Sequence, residues 1–284
     1  MTPATPHTIP AAAERFFANH AQLQPMPEVA TRLIKSFDDP NISLRTLADL
    51  IAKDPTLSAR VLRLANSARF SPSHNVATLA DAANTLGLDM LRNLSMAAAI
   101  SGRFPDLRGL DRRAVWRHAA MTATYARILA KLLRLDADEV FVAGMMLRTG
   151  QLLMALSEPD QVAEVERMAS EPGSRYSLEQ HRFGCTHADV TASLAAHWHF
   201  PAPMVQAFTD ANDPLAVRPF SLMAAVLHLA EVLADAVTAG SDPVAALSQA
   251  VPDLVQHVHL DLDDLRGRVA AAGDPAQDVD ALLQ

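Results

Sequence analysis

Five arginines, Arg103, Arg108, Arg112, Arg113 and Arg117, fall within fifteen residues of one another. Guanidinium groups at that density suit a phosphate, a nucleotide or an acidic partner, because each offers planar, charge-assisted donors. Asp106 and Asp111 dilute the cluster, so the plainer expectation is a solvated linker face. The histidine pairs His197/His199, around Trp198, and His257/His259 look like metal motifs, yet residues two apart on a helix point in different directions and do not share an ion. Cys185, the single cysteine, follows Gly184 near a helix start, where a thiolate could be stabilised. With no second thiol to resolve an oxidised form, an inert side chain is expected. Zinc sites built on several thiolates are excluded, as is an internal disulfide. The chain has no GxxxxGK[S/T], GxGxxG or GxSxG segment, so P-loop, kinase-type and nucleophile-elbow chemistry have no support.

The scaffold that must position such groups is helical by composition: 52 Ala and 37 Leu stand against 10 Gly, 10 Phe and 2 Tyr in 284 residues. Half of the residues are hydrophobic and 20% are charged, with a mean hydropathy of +0.08, which excludes a disordered or low-complexity chain. The net charge of −8 is uneven, because residues 1–118 carry 14 Lys/Arg against 10 Asp/Glu and residues 119–284 carry 10 against 22. Phosphate would repel the second part, so nucleic acid is not an expected partner there. The first part could offer a helix-turn-helix through Arg60, Arg63 and Arg69, but nothing resembles a base-reading helix. No uninterrupted apolar stretch reaches the roughly 18 to 20 residues of a membrane span, and no cationic leader precedes an apolar run. The expectation is a cytoplasmic protein without membrane contact.

Helix signals follow one another almost without a break. Pro27 opens a helix with Val29, Leu33 and Phe37 on one face, and Ser43 caps a second with Leu44, Leu47, Leu50 and Ile51. Asp54-Pro55 starts a third, with Leu57, Val61, Leu64 and Ala68 inward and Arg60 and Arg63 outward. Helical segments at 78–86 and 89–101 flank Gly87, and the Gly/Pro-rich stretch 102–111 marks a subdomain junction. Beyond it, helices are expected at 112–133, from Asp138 toward Leu156 with Asp136 as cap, and at 161–170, 186–199, 201–211 and 219–239, followed by short helices and loops. Met145, Met146 and Met154 fit core positions. The predicted organisation is all-α, with a small N-terminal bundle at 14–104, a larger bundle at 110–240 and a C-terminal appendix at 241–284.

The segment QPMPEVATRLIKSFDDPNISLRTLADLIAKDPTLSARVLRLANSA, followed by NTLGLDMLRNLSMAAAI, resembles the HDOD domain, a bacterial signalling-output module related to the HD superfamily of metal-dependent phosphohydrolases. PMP at Pro25 to Pro27, the pair Asp54-Pro55, LRLANSA from Leu62 and LGLDMLRNL from Leu86 carry the likeness. By that resemblance the larger bundle is a degenerate HD-like bundle. HD enzymes hold divalent metal with a His, an adjacent His-Asp pair and a distant Asp, which leave positions open for water and substrate. Matched residue by residue, the first His is His118, the pair falls on Leu147 and Arg148, the distant Asp becomes Glu231, and a further family histidine is kept as His187. Where related phosphodiesterases have paired histidines, this chain has Ala211 and Asn212.

Leucine offers no donor atom, and arginine, charged near neutrality, repels a dication at short range. The resemblance therefore implies vestigial positions at His118, Leu147, Arg148, His187 and Glu231, with no metal, no cofactor and no catalysis. Arg148 could instead pair with Glu231 near His118 or point to solvent; both readings stand at this point. The implied function is a non-catalytic signalling module that binds partner proteins, in networks tied to second messengers, with the N-terminal bundle (about residues 16–101) as the interaction surface. The alternatives are a divergent phosphohydrolase using His118, His187 and Glu231, and a nucleotide or small-ligand sensor in the former HD cavity.

Overall fold

Short polar side chains cut the chain where the sequence places them. Ser43 Oγ accepts the Thr46 amide at 3.1 Å, and Asp54 Oδ1 accepts those of Thr56 and Leu57, both at 3.0 Å, with Pro55 at the first helical position. The computed structural model describes residues 8–18, 28–36, 39, 41–66, 76–101 and 110–274, and among them every regular element is helical. Two compact units form. In the first, α2 (Glu28–Lys35), α3 (Leu44–Ile51) and α4 (Pro55–Ala65) each pack on α5 (Leu79–Ser101). Leu33, Leu47, Ile51, Leu57, Val61 and Leu64 fill the interior, so the periodic positions are core. Gly87, at φ 78°, joins the two segments of α5 across a kink. Arg60 does not look outward: its Nη1 donates to the Ala98 carbonyl of α5 at 3.3 Å. Phe37, Ala68, Arg69, the PMP segment and the stretch 102–109 lie outside the described residues.

The second unit combines α1 (Ala11–Ala18) with α6 (Arg112–Leu133) and the helices that follow: α7 (Ala137–Met146), α8 (Thr149–Ser157), α9 (Pro159–Met168), α10 (Arg175–Phe183), α11 (His187–His197), α12 (Ala202–Asp210), α13 (Leu222–Thr238), α14 (Pro243–Ala250), α15 (Pro252–His257) and α16 (Leu262–Ala272). Buried along nearly its whole length, α13 packs on α6, α7, α12 and α14. Neither α1 nor α10 is expected from sequence. Phe16 of α1 meets Phe183 of α10 edge to face, with ring centres 5.9 Å apart.

One expected helix is two. The segment from Asp136 toward Leu156 breaks at Leu147-Arg148, between α7 and α8. Ala137–Ser157, though interrupted by Arg148, is long and apolar enough to cross a membrane by length and composition, but 89% of its most apolar window is buried inside the protein. Neither histidine pair lies within one helix. α11 ends at His197 and α15 at His257, while His199 and His259 adopt left-handed backbone (φ 59° and 52°) beyond those ends.

Cys185 is fully buried. Burial first, and then the nearby Asp189 carboxylate, push its thiol up to about 12, so the reactive thiolate is not populated near neutrality. The native protein should leave Ellman's reagent unchanged at pH 8, with one equivalent reacting in urea. Rapid reaction of the folded protein would contradict the inert assignment.

Candidate functional site

α13 carries three ionisable side chains along one inward row, His228, Glu231 and Asp235, in an otherwise apolar sequence. The spacing of three and then four residues sets them above one another on one helix face. Facing them, α6 contributes His118, the break between α7 and α8 contributes Arg148, α10 contributes Tyr176 and Glu179, and the first turn of α11 contributes His187. The start of α11 is held by a reciprocal capping box between Thr186 and Asp189. The break that presents Arg148 is held by hydroxyls: Thr149 Oγ1 donates to the Met146 carbonyl and Thr191 Oγ1 to the Leu147 carbonyl, both at 2.8 Å.

Arg148 lies at the centre. Its Nε donates to Glu231 Oε1 at 2.8 Å and its Nη2 to Asp235 Oδ1 at 2.5 Å, and only 6% of the residue is exposed. His118 Nε2 lies 2.8 Å from the same Asp235 oxygen, with Nδ1 3.2 Å from Thr122 Oγ1. His187 Nε2 lies 3.2 Å from Glu231, and its Nδ1 is 2.6 Å from Glu179 Oε2. Outward from Glu179, Arg175 Nη2 bonds Glu166 at 2.8 Å, and Gln151 Nε2 bonds the same oxygen at 2.7 Å. Gly173, in the loop before α10, donates its amide to Asp235 Oδ2 at 3.0 Å. Tyr176 stacks between His187 and His228, with ring centres 4.9 and 5.1 Å apart. Its hydroxyl is buried without a hydrogen bond of good geometry, and burial with the nearby Glu231 charge holds that phenol well above its ordinary value. The result is a buried line of alternating charge.

Electrostatics follow from this order. Burial alone would push the His187 imidazole down, but Glu179 and Glu231 overcome it and raise the group to about 9. Both ring nitrogens face carboxylates, and only the cation can donate from both. Burial, and then the Arg148 charge, outweigh the Asp235 contact at His118 and hold that imidazole below its ordinary value. Burial disfavours the ionised carboxylates too, yet His187 and Arg148 hold Glu231 well below the carboxylate range, and Arg148 and His118 hold Asp235 at about 2. A raised histidine contributes stability that is complete below its unfolded value near 6.5 and is lost as pH rises through about 9. Urea unfolding should therefore lose on the order of 3 kcal/mol between these two pH values, and His187→Ala should flatten that limb. An unchanged limb in the variant would assign the loss elsewhere.

The structure brings His118, Arg148, His187 and Glu231 together. Leu147 is fully buried, and its carbonyl anchors Thr191. Of the arginine cluster, Arg103 and Arg108 lie outside the described residues; Arg113 and Arg117 are exposed on the first turns of α6 and Arg112 is half-buried. Asp235, Glu179, Tyr176 and Arg175 were not anticipated. For Asp235 a signal existed, since it stands one helical turn after Glu231 in a helix that otherwise accepts almost nothing polar.

As arranged, these side chains do not fit a divalent ion. The guanidinium already bridges the two carboxylates, and among the described residues no three His, Cys, Asp or Glu side chains are grouped to hold a metal.

An uncharacterized protein of Treponema pallidum (strain Nichols) is 25% identical over 191 residues, 65% of this chain and 37% of that protein, so the chain spans well under half of that relative. A crystal structure from Shewanella amazonensis SB2B, named as a candidate phosphohydrolase, is 26% identical with a TM-score of 0.78, covering 96% of this chain and 98% of the other. Another, from Marinobacter aquaeolei VT8 and named as a candidate signal transduction protein, is 23% identical with a TM-score of 0.79, covering 96% of this chain and 64% of the other. The second likeness shows the fold alone. The HDOD domain profile matches residues 23–214, which takes in His118, Arg148 and His187 and stops before α13. A match over more than half of the length, joined to an all-helical HD-like architecture, makes this chain a member of the HDOD domain family.

Proposed function

We propose that this chain is a signalling module that works without a metal and without hydrolysis, by binding a partner protein. One observation carries the reading: Arg148, at the position of the HD pair, donates to both Glu231 and Asp235 from a site only 6% exposed. A cation fixed by two short hydrogen bonds leaves those carboxylates unable to position a metal-bound water. A relative named as a candidate phosphohydrolase fits a module whose architecture outlived its chemistry.

The partner contact is assigned to the N-terminal bundle. There, two adjoining surface clefts of about 290 and 360 Å³ share Arg32, Leu50 and Lys53, from α2, α3 and the turn after α3. Polar rims around an apolar residue suit a protein surface better than a buried small ligand.

Two measurements test the reading. Protein exposed to manganese, iron, zinc and nickel and then desalted should retain only substoichiometric metal, and should not hydrolyse bis(p-nitrophenyl) phosphate above the metal blank. Stoichiometric metal with turnover would replace this reading by a phosphohydrolase. In cells lacking the gene, Arg32→Glu/Lys53→Glu, shown to be folded by circular dichroism, should fail to restore the phenotype that the unaltered protein restores. Full complementation would move the contact off this face.

A further inference from the structure

We infer that Arg175 and Gln151 form a socket for a small 2-hydroxycarboxylate, and that Glu166 occupies this socket from within the chain until such a ligand displaces it. The inference goes beyond the partner-binding reading and involves no metal. Three observations carry it. Gln151 on α8 and Arg175 at the start of α10 are only 1% and 4% exposed, yet both meet one carboxylate oxygen, Glu166 Oε2 of α9, which accepts from Gln151 Nε2 at 2.7 Å and from Arg175 Nη2 at 2.8 Å. The Glu166 side chain is 45% exposed, so this carboxylate reaches the buried donors from the solvent side. The contact is also incomplete. Arg175 Nε and Nη1 and Gln151 Oε1 are buried without a hydrogen-bond partner among the described residues, and Nη1 has only the Glu179 carboxylate, 3.7 Å away. Protein interiors rarely leave such atoms unmatched.

The unmatched atoms define the ligand. Nε and Nη2 lie along one edge of a guanidinium, spaced to take both oxygens of a carboxylate, and that two-pronged contact is stronger than the single oxygen Glu166 supplies. Gln151 Oε1 can only accept, so it calls for a donor beside the carboxylate. A hydroxyl on the adjacent carbon meets that need, whereas an ammonium would add positive charge where two guanidinium groups already act. Burial would raise the Glu166 carboxyl, but Arg175 first and then Arg148 hold it below its ordinary value, which marks the socket as one for an anion. The bonds that Glu166 leaves unmade offset the advantage a tethered group has through its high effective concentration.

The experiment uses the full chain in EDTA, unaltered and as Glu166→Ala, Glu166→Ala/Gln151→Leu and Glu166→Ala/Arg175→Lys. Each is melted by circular dichroism in sodium glycolate, sodium acetate or sodium chloride at equal ionic strength, and ligand contact is read by saturation-transfer NMR. Glu166→Ala removes the internal competitor at a half-exposed position, and it should gain about 5 °C saturably in glycolate, less in acetate and nothing in chloride. The unaltered protein should show the same order at concentrations about 10-fold higher or more, because the ligand must first displace Glu166. Gln151→Leu should erase the difference between glycolate and acetate, and Arg175→Lys, which keeps the charge but loses the fork, should erase the response to both. Should a double variant not fold, the order of glycolate over acetate in Glu166→Ala and in the unaltered protein decides. No saturable response in Glu166→Ala, equal responses there to acetate and glycolate, or a response of the unaltered protein no larger than in chloride each overturns the inference. All three leave the metal-independent reading standing, since EDTA is present throughout.

Discussion

Gly150→Ala should destabilise the protein by about 3 kcal/mol or more, at the top of the range for an added methyl in a packed interior. A Cβ at this position would stand 2.1 Å from the His187 carbonyl oxygen and 2.7 Å from the Thr191 nitrogen. Both obstacles are backbone, and the capping box holds that turn of α11, so no side-chain rotation relieves the clash. The only escape is to separate α8 from α11. Separation breaks the 2.8 Å bonds by which Thr191 Oγ1 accepts the Gly150 amide and donates to the Leu147 carbonyl, and it pulls His187 from Glu231. Gly267→Ala is the control: nothing lies within 4 Å of its Cβ, it sits inside α16, and it should gain roughly 0.5 to 1 kcal/mol from helix propensity alone. Urea midpoints of the two variants should move in opposite directions. Equal small shifts would mean that the α8–α11 crossing is looser than described.

Glu231→Ala should cost roughly 3 to 5 kcal/mol, because it strips one carboxylate from two buried cations at once. Arg148 would keep Asp235, and His187 would keep Glu179. The loss of stability on the alkaline side, which still begins near 6.5, should accordingly be smaller and end at lower pH than in the unaltered protein, since one of the two charges that raise His187 is gone. Arg148→Met/Glu231→Leu removes a cation and an anion together and fills the space with apolar atoms, so its cost should fall well below the sum of the single changes. A double variant that loses the full sum would show the two residues to be energetically independent, against the 2.8 Å bond between them.

The elements were legible where local chemistry decides them. Ser43, Asp54 and Asp136 cap helices as their residue types predict, and α6 runs over the expected 112–133. The break at Leu147-Arg148 was not legible, because both residues favour helix; it depends on Thr191, forty-four residues after Leu147 in the chain. Glu179 reads as a surface acid among the polar residues of α10, yet it is 2% exposed. Its burial depends on His187 and Arg175, which no local window contains. The resemblance located His118, His187 and Glu231, but not the second acid, because Asp235 has no counterpart in the motif carried over. What a buried charge does is set by its partners across the fold, and sequence spacing records only those on the same helix.

The line of opposite charges from Glu166 to Asp235 also bears on how this site can change over generations. A neutral residue at 148 takes the guanidinium from two acids, and a neutral residue at 231 takes one of two carboxylates from both a guanidinium and an imidazolium. Each single step passes through a less stable protein, while paired steps need not. Positions 148, 231 and 235 are thus expected to drift as a set among descendants of this chain, so that the arginine acts as a ratchet: once acquired, it is held in place by the very acids it neutralises.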